Sequence, residues 1–325
     1  MPKPIVYVTR IIPDAGLDLL RDACEVRLWE GDLPPSRATL IKEIADVDGI
    51  LCLLTDKIDG KVMDSAPNLK VISNFAVGYD NINIPSATER KLPVGNTPGV
   101  LTETSADFTF ALLMSAGRRI VEGEKYIKAG KWQTWSPTML LGQDIYGATL
   151  GIVGFGRIGQ AVARRARGFG MRILYHGGSN EAMAQELGAE KCDLDDLLRE
   201  SDYVSLHSPL NDDTYHLIDE GALKLMKTTA ILINTARGGI VDPEALYFAL
   251  KNEQIAYAAL DVTEPEPINL DDPLLTLDNC LVVPHIASSS VATRDKMAMM
   301  AAENLLAGVR GEKLPNCVNP EVYST

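Results

Sequence analysis

The chain has 325 residues, 46% of them apolar and 23% charged, with a formal charge of -13. That length suits two ordinary domains better than one, and the composition is that of a folded globule rather than a disordered chain. An acidic balance repels a phosphate backbone, so no nucleic acid is expected as a partner, and no run reaches the roughly 18 consecutive apolar residues of a membrane span. The five cysteines, Cys24, Cys52, Cys192, Cys280 and Cys317, are scattered and never form a CxxC pair. They read as free thiols in a reducing compartment, with no metal site. Met1 runs straight into Pro2-Lys3-Pro4 and a strand-like segment without a signal-peptide core, so a cytoplasmic location is expected.

The first hundred residues alternate strand and helix. Ile5 to Thr9, Gly49 to Leu54, Leu69 to Ser73 and Leu92 to Gly95 are short apolar strands, and Pro13 opens a helix that runs to Leu20. Buried runs of this kind, separated by helices, favour parallel sheet with helical crossovers. Asn96-Thr97-Pro98-Gly99 punctuates the chain. Ser105 to Arg119 then forms an apolar helix suited to a domain seam or a subunit interface. Trp132 to Pro137 reads as an ordered loop whose two tryptophans must be buried. A second series follows, with strands at Ala148–Val153, Arg172–Tyr175, Tyr203–His207, Ala230–Asn234, Ala256–Leu260 and Cys280–Val283. Six strands with crossovers are what a doubly wound domain needs. A last helix, Val291 to Leu306, leads to a polar tail that is free to return to the first domain.

The strand Ala148–Val153 runs into Gly154-Phe155-Gly156-Arg157-Ile158-Gly159, a G-x-G-x-x-G turn, and a helical run follows from Gln160. Gly154 allows a tight turn, Gly156 allows backbone to approach a pyrophosphate, and Gly159 allows close helix packing. The helix N-terminus supplies unpaired N–H groups for phosphates. With strand, turn, helix and second strand all in place, this is read as a dinucleotide site. The second strand ends in Tyr175-His176-Gly177-Gly178-Ser179-Asn180, without the carboxylate that usually binds an adenosine ribose. Ser179 and Asn180 are hydrogen-bond donors for a 2′-phosphate, but no arginine replaces the carboxylate. NADP(H) is therefore slightly favoured over NAD(H).

Hydride chemistry on a carbonyl needs a proton donor, and histidine suits that near neutral pH. Of the four histidines, His176 falls in the adenosine region and His216 in a helix-start environment explained by packing. His207 ends a strand before Pro209 and suits the nucleotide site. His285, after Leu281-Val282-Val283-Pro284 and before the small residues Ala287 to Ser290, is the leading acid. A carboxylate beside it would favour the imidazolium. On spacing alone either Glu264 or Glu266 serves. Asp261, directly at a strand end, is placed to accept from a carboxamide. Arg237 lies at another strand end, and its planar guanidinium suits bidentate binding of a substrate carboxylate.

The stretches NFAVGYDNI (74–82), NTPGVLTETSAD (96–107), GIVGFGRIGQ (151–160), INTARGGIVD (233–242), LDVTEPEP (260–267) and VPHI (283–286) span essentially the whole chain. Together they resemble the D-2-hydroxyacid dehydrogenases, and within them the glyoxylate/hydroxypyruvate reductases. The resemblance implies a Rossmann-like doubly wound domain (100–287) and a smaller flavodoxin-like α/β domain built from 1–99 and 288–325. It implies Arg237 on the substrate carboxylate, Glu266 rather than Glu264 as partner of the acid/base His285, and Asp261 on the nicotinamide carboxamide. Val77 and Gly78 match backbone donors to the carboxylate, and Leu53 matches a side chain bordering the substrate. The stretch KWQTWSP further implies a homodimer in which Trp135 reaches the neighbouring subunit's site. Cofactor contacts are expected from Gly154, Gly156, Arg157, Ile158, Gly159, Ser179, Asn180, His207, Pro209, Thr235, Ala236, Asp261, His285 and Ala287. Ala287 departs from the family's common HIGS pattern, and its extra methyl faces the nicotinamide side. The expected reaction is reduction of glyoxylate or hydroxypyruvate. Other D-2-hydroxy acids, phosphoglycerate or phosphite are alternatives within the family. A nucleotide-sensing corepressor without turnover is the alternative of another class.

Overall fold

The computed structural model describes residues 2–178 and 180–324. The chain divides into two compact units, Met1–Leu101 with Ser289–Thr325, and Thr102–Ser288.

The smaller unit is built on five parallel strands: β1 (Ile5–Val8), β2 (Glu25–Leu28), β3 (Gly49–Cys52), β4 (Val71–Asn74) and β5 (Val94–Gly95). They lie in the order β2-β1-β3-β4-β5, the flavodoxin-like arrangement. Every residue of β3 and β4 is buried, which requires cover on both faces and explains the apolar run of β3 and of the first half of β4. The helix Val291–Val309 provides part of that cover. Gly308 lies so close to Val71 that a side chain there would collide with it. At Gly16, in the helix Asp14–Ala23, a Cβ would come within 2.6 Å of the Ala298 carbonyl oxygen. Ser73 adds a buried hydrogen bond to the Ala301 carbonyl at 2.7 Å. The C-terminal segment thus belongs to the core of the first hundred residues.

The larger unit contains seven parallel strands: β6 (Thr149–Val153), β7 (Arg172–His176), β8 (Ala189–Lys191), β9 (Tyr203–Leu206), β10 (Ile231–Asn234), β11 (Tyr257–Leu260) and β12 (Cys280–Val282). Their order is β12-β11-β10-β9-β6-β7-β8, a doubly wound sheet whose order reverses beside β6. One face packs on Phe110, Leu113 and Val162, and the other on Leu197, Leu223, Leu246 and Leu250. Reversal at β6 opens a crevice at the strand ends, where such sheets bind ligands. Among the described residues, no helix is long and apolar enough to cross a membrane. Trp132 and Trp135, expected to be buried, are 55% and 75% exposed in the single chain.

Candidate active site

The turn after β6 is shaped by its glycines. Gly154 has φ 97°, and a Cβ there would come within 2.5 Å of the Ser208 nitrogen, so only glycine serves both conformation and space. A side chain at Gly159 would strike the Gly154 carbonyl oxygen, whereas the space above Gly156 is open to 4 Å. Gly156 caps the helix Arg157–Gly168 without any side-chain hydrogen bond, leaving that helix's first amides for a ligand. Open space over an uncapped helix start fits a dinucleotide pyrophosphate. Arg157 is exposed at the helix start and Ile158 is half-buried beside it.

Beyond β7, His176 Nδ1 lies 3.2 Å from the Cys192 carbonyl, and Gly177 and Gly178 both have positive φ. Asn180 caps the next helix by accepting from the Met183 N–H at 3.1 Å, which leaves its side-chain amide nitrogen uncommitted to that cap. Ser179 lies outside the described residues. After β9, the His207 N–H donates to the Val153 carbonyl at 2.7 Å, tying this strand end to the glycine turn. Its ring Nε2 is 2.8 Å from Ser205 Oγ, and burial pulls the imidazole down to about 3, so it stays neutral near pH 7. Pro209 is exposed just beyond.

Asn234, fully buried at the end of β10, organises the arginine turn. It donates to the Arg237 carbonyl at 2.8 Å and accepts from the Ala236 N–H at 3.0 Å. Thr235 Oγ1 is 2.9 Å from Thr109 Oγ1, and Arg237 Nη1 donates to the Ala236 carbonyl at 2.8 Å. Gly238 follows in direct contact with the Thr263 carbonyl, with no room for a side chain, so the arginine turn and the glutamate loop are packed main chain to main chain.

At the end of β11, Asp261 is 1% exposed and spends both carboxylate oxygens on the histidine segment. It accepts from the Ile286 N–H at 2.7 Å and the Ala287 N–H at 2.8 Å. Burial raises its pKa, and the two amide hydrogen bonds work against that rise. The His285 N–H donates to the Asp261 carbonyl at 2.8 Å, and His285 itself sits at φ 52°. The side chain so placed meets Glu266: His285 Nδ1 is 2.5 Å from Glu266 Oε1, with the two side chains 23% and 33% exposed. Nε2 is then the ring nitrogen available to a substrate. Glu264 serves a different histidine, with its Oε2 2.9 Å from His216 Nε2. This corrects the helix-start reading of His216. It occupies a left-handed turn at φ 50°, stacked on Tyr215, with Nδ1 3.9 Å from Asp242. Spacing alone leaves the two glutamates interchangeable, though the family resemblance picks Glu266, and Asn234 goes unnoticed, its only signal being a polar residue closing a buried apolar strand.

In the smaller unit, Leu53 follows β3, and Val77 and Gly78 lie in the loop after β4, all partly exposed.

A doubly wound sheet with an uncapped glycine turn and a carboxylate-paired histidine defines a nicotinamide-dependent dehydrogenase. Residues 110–287 match the family model described as D-isomer specific 2-hydroxyacid dehydrogenase, NAD binding domain. The glyoxylate reductase of Korarchaeum cryptofilum (strain OPF8) is 56% identical over 322 residues, covering 98% of this chain and 97% of that one. A crystal structure of a Thermus thermophilus protein superposes with TM-score 0.91 at 46% identity, covering 97% of this chain and 99% of that one. The NADPH-dependent glyoxylate/hydroxypyruvate reductase of Sinorhizobium meliloti, solved with NADP and malonate, gives 0.86 at 33% identity, covering 97% of each chain. The chain belongs to the D-isomer specific 2-hydroxyacid dehydrogenase family.

Proposed function

We propose that the protein reduces glyoxylate, and hydroxypyruvate as a second substrate, to the corresponding 2-hydroxy acid. The contact of 2.5 Å between His285 Nδ1 and Glu266 Oε1 carries this reading, because it orients the ring and leaves Nε2 as a proton donor. The names of the Korarchaeum and Sinorhizobium relatives support the choice of keto acid. When bound, the nicotinamide supplies the hydride. The chain's own residues do the rest: Arg237 binds the substrate carboxylate and draws electron density from the neighbouring carbonyl, while His285 Nε2–H donates to the carbonyl oxygen. Glu266 holds the imidazole ring in place. Asn234 and Asp261 fix the two turns that carry Arg237 and His285. Leu53, Val77 and Gly78 are proposed as substrate contacts from the smaller unit.

NADPH is the proposed preferred donor, supported by the absence of any carboxylate from residues 176–180 after β7. A homodimer is proposed from the exposed Trp132, Trp135, Leu141 and Tyr146, beside a cleft of about 680 Å³ lined by Arg119, Leu141, Tyr257 and Asn279. A cytoplasmic setting suits five free cysteines.

One panel tests the function: oxidation of NADH and NADPH with glyoxylate, hydroxypyruvate, pyruvate and phosphohydroxypyruvate. Glyoxylate with NADPH is expected to give the highest kcat/KM, with hydroxypyruvate next. Preference for pyruvate or the phosphorylated acid rejects the substrate assignment, and preference for NADH rejects the donor.

A further inference from the structure

The stretches NFAVGYDNI and NTPGV contain three asparagines that the reaction itself does not use: Asn74, Asn81 and Asn96. Asn74 is fully buried and Asn96 nearly so. Each spends its side-chain amide on main-chain carbonyls of the loops after β3 and β4. Asn96 Nδ2 donates to the Val77 carbonyl at 2.8 Å, and Asn74 Nδ2 donates to the Gly78 carbonyl at 2.8 Å and to Asn81 Oδ1 at 3.2 Å. Asn81 Nδ2 in turn donates to the carbonyls of Leu53 at 3.0 Å and Asp56 at 3.1 Å. Asn96 is itself anchored: its carbonyl accepts from Asn304 Nδ2 at 2.9 Å, and Asn304 Oδ1 accepts from the Asn316 N–H at 3.0 Å. One residue back, the Ala76 carbonyl accepts from the Thr97 N–H at 2.9 Å.

A trans peptide points its carbonyl and the following N–H in opposite directions. With the carbonyls of Ala76 and Val77 both pinned, the N–H groups of Val77 and Gly78 are turned away from the asparagines. Among the described residues, none accepts from either N–H. Flipping one of these peptides would strand a buried amide donor, which is costly, so their direction is fixed before any ligand arrives.

We infer that Asn96 and Asn74, with Asn304 behind Asn96, are positioning residues that hold the Val77 and Gly78 amides as a preformed donor pair for a small carboxylate. Adjacent backbone N–H groups turned the same way are an anion-binding arrangement. The inference rests on the 2-keto acid reading above and adds to it the residues that create the subsite. All donors in it are neutral, so its grip on a carboxylate comes from direction rather than net charge.

Asn96 carries the test because Asn74, at full burial, risks the fold. In the full-length enzyme, Asn96→Ala and the isosteric Asn96→Asp both remove the donor to Val77. The glyoxylate KM is expected to rise roughly tenfold or more in each, as for loss of an oriented hydrogen bond to a charged group. The kcat should stay within about threefold, and the NADPH Kd and thermal midpoint should stay close to the parent's, because the loss is in substrate binding. Calorimetric binding of oxalate to the NADP-loaded protein should weaken by the same factor as KM. Folded variants with unchanged KM and unchanged oxalate Kd overturn the inference alone, as does a loss shared equally with NADPH binding. A parent enzyme that reduces no keto acid but binds oxalate rejects the substrate reading, and the oxalate ratio still decides the role of Asn96. A parent that does neither overturns both.

Discussion

The strand ends of the two sheets carry different kinds of chemistry. In the larger unit, β10, β11 and β12 are followed by ionisable side chains: Arg237, Asp261 with Glu266, and His285. In the smaller unit, the buried Asp56 accepts from the Leu53 N–H at 2.8 Å, but the rest of the loops after β3 and β4 is held by neutral amides, with Asn74, Asn81 and Asn96 all directed at carbonyls. In the proposed reaction, charge is placed where a proton and a developing negative charge must be managed, since a fixed ionisable group does that work at low reorganisation cost. Neutral amides are placed where only shape and direction matter. One fold principle, loops at the carboxyl ends of parallel strands, therefore supports two unlike forms of recognition.

Substitutions probe that contrast. The largest effect is expected from His285→Ala, which removes the proposed proton donor and should lower kcat about 10²–10⁴-fold while NADPH binding persists. Turnover within about tenfold of the parent would place the acid elsewhere and dissolve the contrast. Glu266→Gln keeps the shape but not the charge beside His285. A fall in kcat of about tenfold is expected, because the ring loses the carboxylate that orients it. A variant with the parent's kcat would show that His285 needs no carboxylate partner. The smallest effect concerns His207, whose pKa is lowered from 6.5 to about 3 by burial. Between those values the unfolded chain binds a proton that the folded chain refuses, so stability falls as pH drops through the window. In His207→Asn, the urea midpoint should decline less steeply from pH 7 to about 4, with no difference above pH 7.

Much of the architecture is legible in the sequence because buried parallel strands leave unbroken apolar runs. β3, β6, β9, β10 and β11 all announce themselves this way. β2 (EVRL) and β8 (AEK) do not, because both lie at sheet edges, where charged residues are tolerated and apolar patterning fades. The proposed catalytic set is readable as residue types at strand ends, but its pairing follows only from the family resemblance, not from spacing. Glu264 and Glu266 are two positions apart, and only the path of the loop sends one to His216 and the other to His285. Asn234 and Asn96 are invisible as positioning residues for a similar reason. Their role lies in a carbonyl they reach through space, and a lone asparagine in sequence looks like any turn residue.

The anchorage of the His285 segment has a bearing on how the enzyme tolerates its ionic surroundings. Arg172 meets Glu190 and Glu200 through side chains about half exposed, and pairs of that kind weaken as dissolved ions crowd around them. Asp261 holds its loop by another means: its charge is answered by the dipoles of two amides, behind a surface that mobile ions do not penetrate. A cell whose internal osmolarity swings with drought or brine would loosen the outer ion pairs at each excursion. The seat of His285 would keep its geometry throughout.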